Sequence, residues 1–207
     1  MKLRGALALG AGLATAGIAI VGPRLHSGWG ATPHERSAPL PGDELVPSPV
    51  FHSTRAITIQ APPESVWPWL VQMGTGRAGW YSYDALISQF SSAPTISAST
   101  IIQDFQDLKA DDVIDLIDSM VFHVHEIEPN RAIVLLADEH QLPLQPWVKS
   151  WTFVIKPIEG GATRLLVRER SYWTLKWVGF VTAFTNWLWF WVTRRQLINL
   201  KALVEAT

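Results

Sequence analysis

The chain of 207 residues contains no cysteine, which excludes disulfides, thiolate metal ligands and a cysteine nucleophile. It also lacks a charge imbalance. Seventeen Lys and Arg stand against 18 Asp and Glu, a net charge of -1, so no basic face recommends nucleic acid as a partner. What it has instead is apolar mass: 48% of its residues are hydrophobic, enough for one domain with a large core, and 11 of them are Trp. Trp couples a wide apolar surface to one polar handle, a combination useful in ligand pockets and at membrane interfaces.

The amino terminus carries the clearest address. From Gly5 to Gly22 only Thr15 is polar, and the run follows Lys2 and Arg4. This is the pattern of a membrane-directed segment, either an uncleaved anchor or a signal peptide; the lack of a clear cleavage site where the run ends favours the anchor. Lys2 and Arg4 against Arg24 orient the amino end inside and the rest of the chain outside, so a single-pass anchor with an extracytoplasmic domain is expected, the alternative being secretion after cleavage. Pro23 to Ser53 holds six prolines and no sustained apolar period, and reads as a tether. The organisation expected is therefore residues 1–22 as membrane segment, 23–53 as Pro-rich tether and 54–207 as domain.

Within the domain, Arg55 to Leu86 is the densest stretch. Ala56 to Gln60 predicts a strand, with Ile57 and Ile59 on one face. Pro62 and Pro63 end it, and a helix follows in which Val66, Trp67, Leu70, Val71 and Met73 form the buried face and Pro68 is the awkward residue. Gly74 stops it, opening GTGRAGWYSYD. GTGRAG matches the glycine pattern of dinucleotide sites, but it follows a helix where such a site must follow a strand. Arg77, Trp80, Tyr81, Tyr83 and Asp84 form an aromatic and charged cluster with two readings. The rings wall an apolar ligand while Arg77 and Asp84 set charge at the mouth, or Asp84 caps a short helix, Arg77 pairs with it and the rings are core.

Further strands are predicted over Val113 to Ile117, Met120 to Ile127, Ala132 to Ala137, Ser150 to Pro157 and Ala162 to Ser171. His123 and His125 share one face, but no third ligand has recognisable spacing, and the Asp-rich stretch near Asp111 lacks the glycine and glutamate of a calcium loop; no metal and no cofactor is expected. In the last strand Leu165 and Val167 form the cavity-facing set, which places Glu169 at the rim and the arginines toward water. The final helix presents Trp187, Phe190, Trp191, Leu197, Ile198 and Val204 at helical spacing, and Trp177 to Trp191 forms its front rather than a second span.

The blocks RAITIQAPPESVWPWLVQMG, GRAGWYSYD, LKADDVI, WTFVIKP and GGATRLLVRER resemble the actinobacterial, membrane-tethered type of SRPBCC proteins, the START and Bet v 1-like superfamily. The resemblance covers roughly Pro41 to the carboxyl end. It implies an α+β helix-grip fold, a curved antiparallel sheet wrapped around a long C-terminal helix. One departure is that Ala110, Asp111 and Asp112 stand where the family pattern has a Gly-Asp turn. The function expected is binding of a hydrophobic small molecule or lipid in an apolar cavity, with Arg77, Trp80, Tyr81, Tyr83, Asp84 and Glu169 as ligand-binding candidates. One alternative is a polyketide cyclase or dehydratase-like enzyme, with Asp84, Tyr81 or Glu169 transferring protons. The other is a structural or partner-binding domain with a filled cavity.

Overall fold

A computed structural model describes residues 26–137, 147–173 and 178–207, with side chains of the last helix described from Trp187. The expectations for residues 1–22 and for Trp177 fall outside these residues. The fold is α+β: a curved six-stranded antiparallel sheet and a long C-terminal helix. The strands are β1 (Phe51–Ile59), β2 (Val113–Ile117), β3 (Met120–Glu128), β4 (Ala132–Ala137), β5 (Trp147–Ile158) and β6 (Ala162–Trp173), in the spatial order β1-β6-β5-β4-β3-β2. The helices are α1 (Pro33–Ser37), α2 (Pro63–Val71), α3 (Asp84–Ile87) and α4 (Val178–Glu205). β1, β5 and β6 run longer than the sequence predicts, because strict alternation breaks at Arg55, Lys149 and Ser171 although the backbone pairing continues through them. Register shifts between Asp115 and Ile117 and between Val124 and Glu126 mark bulges, which bend a sheet. The glycine-free turn before β2 forms because Asp111 itself adopts φ 71°, a conformation Asp tolerates better than most residues.

Alternation gives each strand two faces. On the inner face Ile59, Leu165, Val167, Phe153, Phe122 and Ile133 pack with Leu197, Leu200 and Val204 of α4 and with Trp69 and Leu70 of α2, so the core sits between the sheet and these helices. Pro68 is accommodated inside α2, and the buried set there is Val66, Trp69, Leu70 and Val71, with Trp67 only partly covered. On α4 the buried positions include Phe190, Thr193, Gln196, Leu197, Leu200 and Val204, while Trp187, Trp191 and Ile198 are 48%, 38% and 37% exposed. Three of the apolar positions expected to face the core thus face outward. The front of α4 is apolar nearly all round, so spacing alone cannot choose its inner face. Among the described residues no helix is long and apolar enough to cross a membrane.

The outer face of the sheet corrects another expectation. Arg164, Arg168 and Arg170 of β6 point away from the core, but they meet the segment that precedes β1 rather than water. Arg168 is 3% exposed. Its guanidinium donates to Thr54 Oγ1, to the carbonyls of Glu35, Arg36 and Ala38, and to Asp43 Oδ2 at 2.6 Å. Arg164 holds Glu35 and the Gly30 carbonyl, and Arg170 holds the carbonyls of Val46 and Pro47. A proline-rich segment satisfies few of its own carbonyls, and a row of arginines supplies the missing donors. Leu40 completes the contact by packing on Ala56, Ala132, Val154 and Leu166.

Two measurements check this attachment. Arg168→Ala should lower stability by about 1.5–3 kcal/mol, the worth of a charge-assisted hydrogen bond, and should expose residues 26–50 to limited proteolysis. The second is a pH response. The hydrogen bonds that Arg164 donates to Glu35 hold its carboxyl at about 2, down from 4.5. A carboxylate whose folded pKa is depressed stabilises the fold above its unfolded pKa and loses that contribution as pH falls toward the folded one. Pepsin cleavage of the segment should therefore accelerate as pH drops from 4.5 to 2, and an Arg164→Gln variant should be cleaved readily throughout that range.

Candidate functional site

GTGRAG folds into a closed loop. Gly74 and Gly79 exchange backbone hydrogen bonds at 3.0 Å in both directions. Gly79 has φ 72°, and a Cβ there would lie 2.7 Å from the backbone of Ile96 and Ser97. Gly79→Ala should therefore lower stability by about 1–3 kcal/mol from conformational strain alone, read as a shift in the denaturation midpoint.

The five residues of GRAGWYSYD separate into different tasks. Arg77 donates to the carbonyls of Val71 (2.9 Å) and Phe105 (3.2 Å) and lies over the Phe105 ring; burial lowers its pKa. Trp80 is buried, stacks on Trp151 with centroids 5.1 Å apart, and donates from Nε1 to the Asp115 carbonyl. Tyr81 is buried with φ 54°, and its hydroxyl accepts from Gln72 Nε2 at 2.7 Å. Burial pushes that phenol up to about 12. Tyr83 is 37% exposed and lies against the Arg195 guanidinium. Asp84 accepts from the backbone N–H and the hydroxyl of Ser97, at 2.7 and 2.8 Å, and so fastens a loop. Arg77 and Asp84 do not meet. Of the five, Trp80 is the one that stacks on Trp151, the cross-strand neighbour of Glu169.

Glu169 itself is not at a rim. It is fully buried on the inner face, in line with Leu165 and Val167. Arg55 of β1, 1% exposed, donates from Nη1 to Glu169 Oε1 at 2.5 Å, and Lys149 Nζ of β5 lies 3.2 Å from Oε2. Thr193 of α4 donates to Oε1 from the other side, at 3.4 Å. Three adjacent strands and the helix thus converge on one carboxylate.

Aromatic rings enclose this group. Lys149 Nζ is 4.3 Å above the Trp189 ring, Arg55 lies over Phe190, and Trp151 packs edge-on to Trp189 and against Phe153. Burial lowers the pKa of Lys149, partly offset by Glu169, and the nearby Arg55 charge lowers it further. Around the charges several buried polar atoms make no hydrogen bond among the described residues: Ser53 Oγ, Gln196 Oε1 and the indole N–H groups of Trp147, Trp151 and Trp189. Arg55 and Lys149 escaped the sequence reading, although both carry a signal. Each sits at inner-face parity, Arg55 with Ile57 and Ile59, Lys149 with Trp151 and Phe153.

His123 and His125 project outward and are exposed, and among the described residues no group of three or more His, Asp and Glu side chains is placed to hold a metal. A surface groove of about 550 Å³ lined by Leu40, Pro63, Glu64, Arg131 and Lys156 lies outside the core.

No protein-family model matches the chain, and a search among curated proteins finds no match. Among solved structures, the chain is similar to protein MLL2253 from Mesorhizobium loti, at 19% identity over 74% of this chain and 98% of that one, with a TM-score of 0.43. A conserved protein from Geobacillus kaustophilus shows 14% identity over 75% and 96%, with a TM-score of 0.44. CalU16 from Micromonospora echinospora shows 15% identity over 75% and 84%, with a TM-score of 0.36.

Proposed function

We propose that this chain is a membrane-tethered SRPBCC-type helix-grip domain that binds a hydrophobic small molecule or lipid between its sheet and its C-terminal helix. The observation that carries the reading is the Arg55–Glu169–Lys149 cluster. A core that served packing alone would be expected to exclude charge, because buried ion pairs seldom repay their desolvation. Here three ionisable groups stand among Trp and Phe rings, with buried polar atoms beside them that make no hydrogen bond among the described residues. An apolar enclosure with a few convergent polar groups is the usual build of a small-molecule site. The blocks quoted from the sequence support the family assignment, and the order of sheet and helix supports the helix-grip class.

Purification of the full chain from its native host, followed by solvent extraction and mass spectrometry, tests the reading. A co-purifying amphiphile, lost from a Trp151→Ala variant that remains folded, is expected. A chain that retains nothing would leave the filled, structural domain as the better account. The membrane proposal has its own test: the chain should resist a carbonate wash, and protease added to spheroplasts should digest the domain.

One observation favours a second reading, a cyclase or dehydratase-like enzyme. The Lys149 amine, lowered in pKa by burial, stands beside a carboxylate, an arrangement suited to proton transfer. Tyr81 and Asp84 serve this reading less well, since the phenol is held near 12 and the carboxylate is engaged by Ser97.

A further inference from the structure

The cluster is unbalanced in charge and in hydrogen-bonding capacity, and both imbalances have the same sign. Among the described residues Glu169 is the one carboxylate in contact with Arg55 and Lys149, so with all three groups ionised this trio carries one net positive charge. Arg55 makes the shorter contact, and its Nε is also spent on the His26 carbonyl at 3.4 Å. Lys149 is the less committed cation: its described contacts are Glu169 and the face of Trp189. Donors also outnumber acceptors. Three indole N–H groups and the Ser53 hydroxyl make no hydrogen bond among the described residues, against Gln196 Oε1 and the poorly aligned Glu169 Oε2 on the acceptor side.

These orphan groups are not scattered. Trp147 and Trp151 flank Lys149 on the same face of β5, and Trp189 lies beneath its ammonium. Ser53 is paired across the strands with Glu169. A buried cation with spare donors is completed by an anion, because the anion satisfies both deficits together.

We propose that the site takes an amphiphile carrying a single carboxylate, its anionic head set against Lys149 and the neighbouring indole N–H groups and its apolar body among the Trp rings. The inference rests on the ligand-binding reading above and narrows it to one chemical class. Glu169 then acts as the group that positions both cations, and ligand and Glu169 share them without proton transfer.

A charge series on one apolar body decides it. The full chain in detergent is titrated with 2-naphthoate, with 2-naphthalenemethanol and with 2-naphthylmethylammonium at pH 7.5, following tryptophan fluorescence. Affinity should fall in that order, with naphthoate at least tenfold tighter than the alcohol. Lys149→Met should remove this preference, bringing the acid to no more than the affinity of the alcohol, whereas Lys149→Arg should retain the preference. Equal affinity of the wild-type chain for acid and alcohol would overturn the inference while leaving the ligand-binding reading in place. Tighter binding of the ammonium compound would overturn it too, since Glu169 would then be the recognition group. Failure of all three to bind also ends the inference, and the extraction experiment judges the broader reading separately. The wild-type comparison depends on no variant, so a variant that fails to fold does not blunt the test.

Discussion

Glu169→Ala should lower the stability of the domain by about 3–5 kcal/mol, measured by denaturant unfolding, because it strands two cations in the interior. Arg55 is 1% exposed and loses its closest partner, and Lys149 loses the only carboxylate it touches among the described residues. The loss is not the worth of the ion pair; it is mostly the penalty of an uncompensated buried charge. Lys149→Met should therefore behave in the opposite way. It removes a desolvated ammonium, leaves the Arg55–Glu169 pair intact and substitutes a flexible apolar chain against Trp189, so stability should stay level or rise. Equal destabilisation by the two changes would mean that the three groups act as one indivisible network. Little effect from Glu169→Ala would mean that solvent reaches the cluster.

Trp80→Ala should cost about 3–5 kcal/mol, the usual penalty for removing a large buried ring. Trp80 stacks on Trp151, which in turn touches Phe122, Phe153 and Trp189, so the vacancy would open beside the charged cluster. Asp84→Asn gives the contrast. Asn retains one acceptor for the two donors of Ser97, so the change should cost only about 1 kcal/mol, one net hydrogen bond. Bound ligand per folded molecule separates the roles: Asp84→Asn should leave it unchanged, and Trp80→Ala should reduce it through Trp151. Unchanged ligand in a destabilised Trp80→Ala protein would make that ring core alone.

The sheet was legible in the sequence because alternation and turn residues agree along it: Ile57 and Ile59, Leu165 and Val167, and the Gly160–Gly161 turn each point to one arrangement. The long C-terminal helix was legible as an element but not in its orientation, since Trp187, Trp191 and Phe190 offer apolar surface on several sides and only Phe190 is turned inward. The charged cluster was legible in part. Glu169 stood out, but its partners lie 114 and 20 positions away, and antiparallel register brings them together. The arginines of β6 were misassigned to water for a related reason. A strand shows which residues share a face, and it does not show what covers that face.

The docking of His26 sets the reach of whatever precedes it. Its ring stacks on Phe190 at 4.4 Å, and its carbonyl accepts from Arg55. If the apolar run is held in a bilayer up to Gly22, four chain steps remain before this fixed point, a span of at most about 14 Å. The domain would then ride on a short leash. Its α4 face near Phe190, where Trp187 and Trp191 are exposed, would stay within touching distance of the lipid headgroups. On the proposed reading, a hydrophobic cargo would pass between bilayer and protein without crossing open water, and the domain would serve the membrane that holds it rather than roam between membranes.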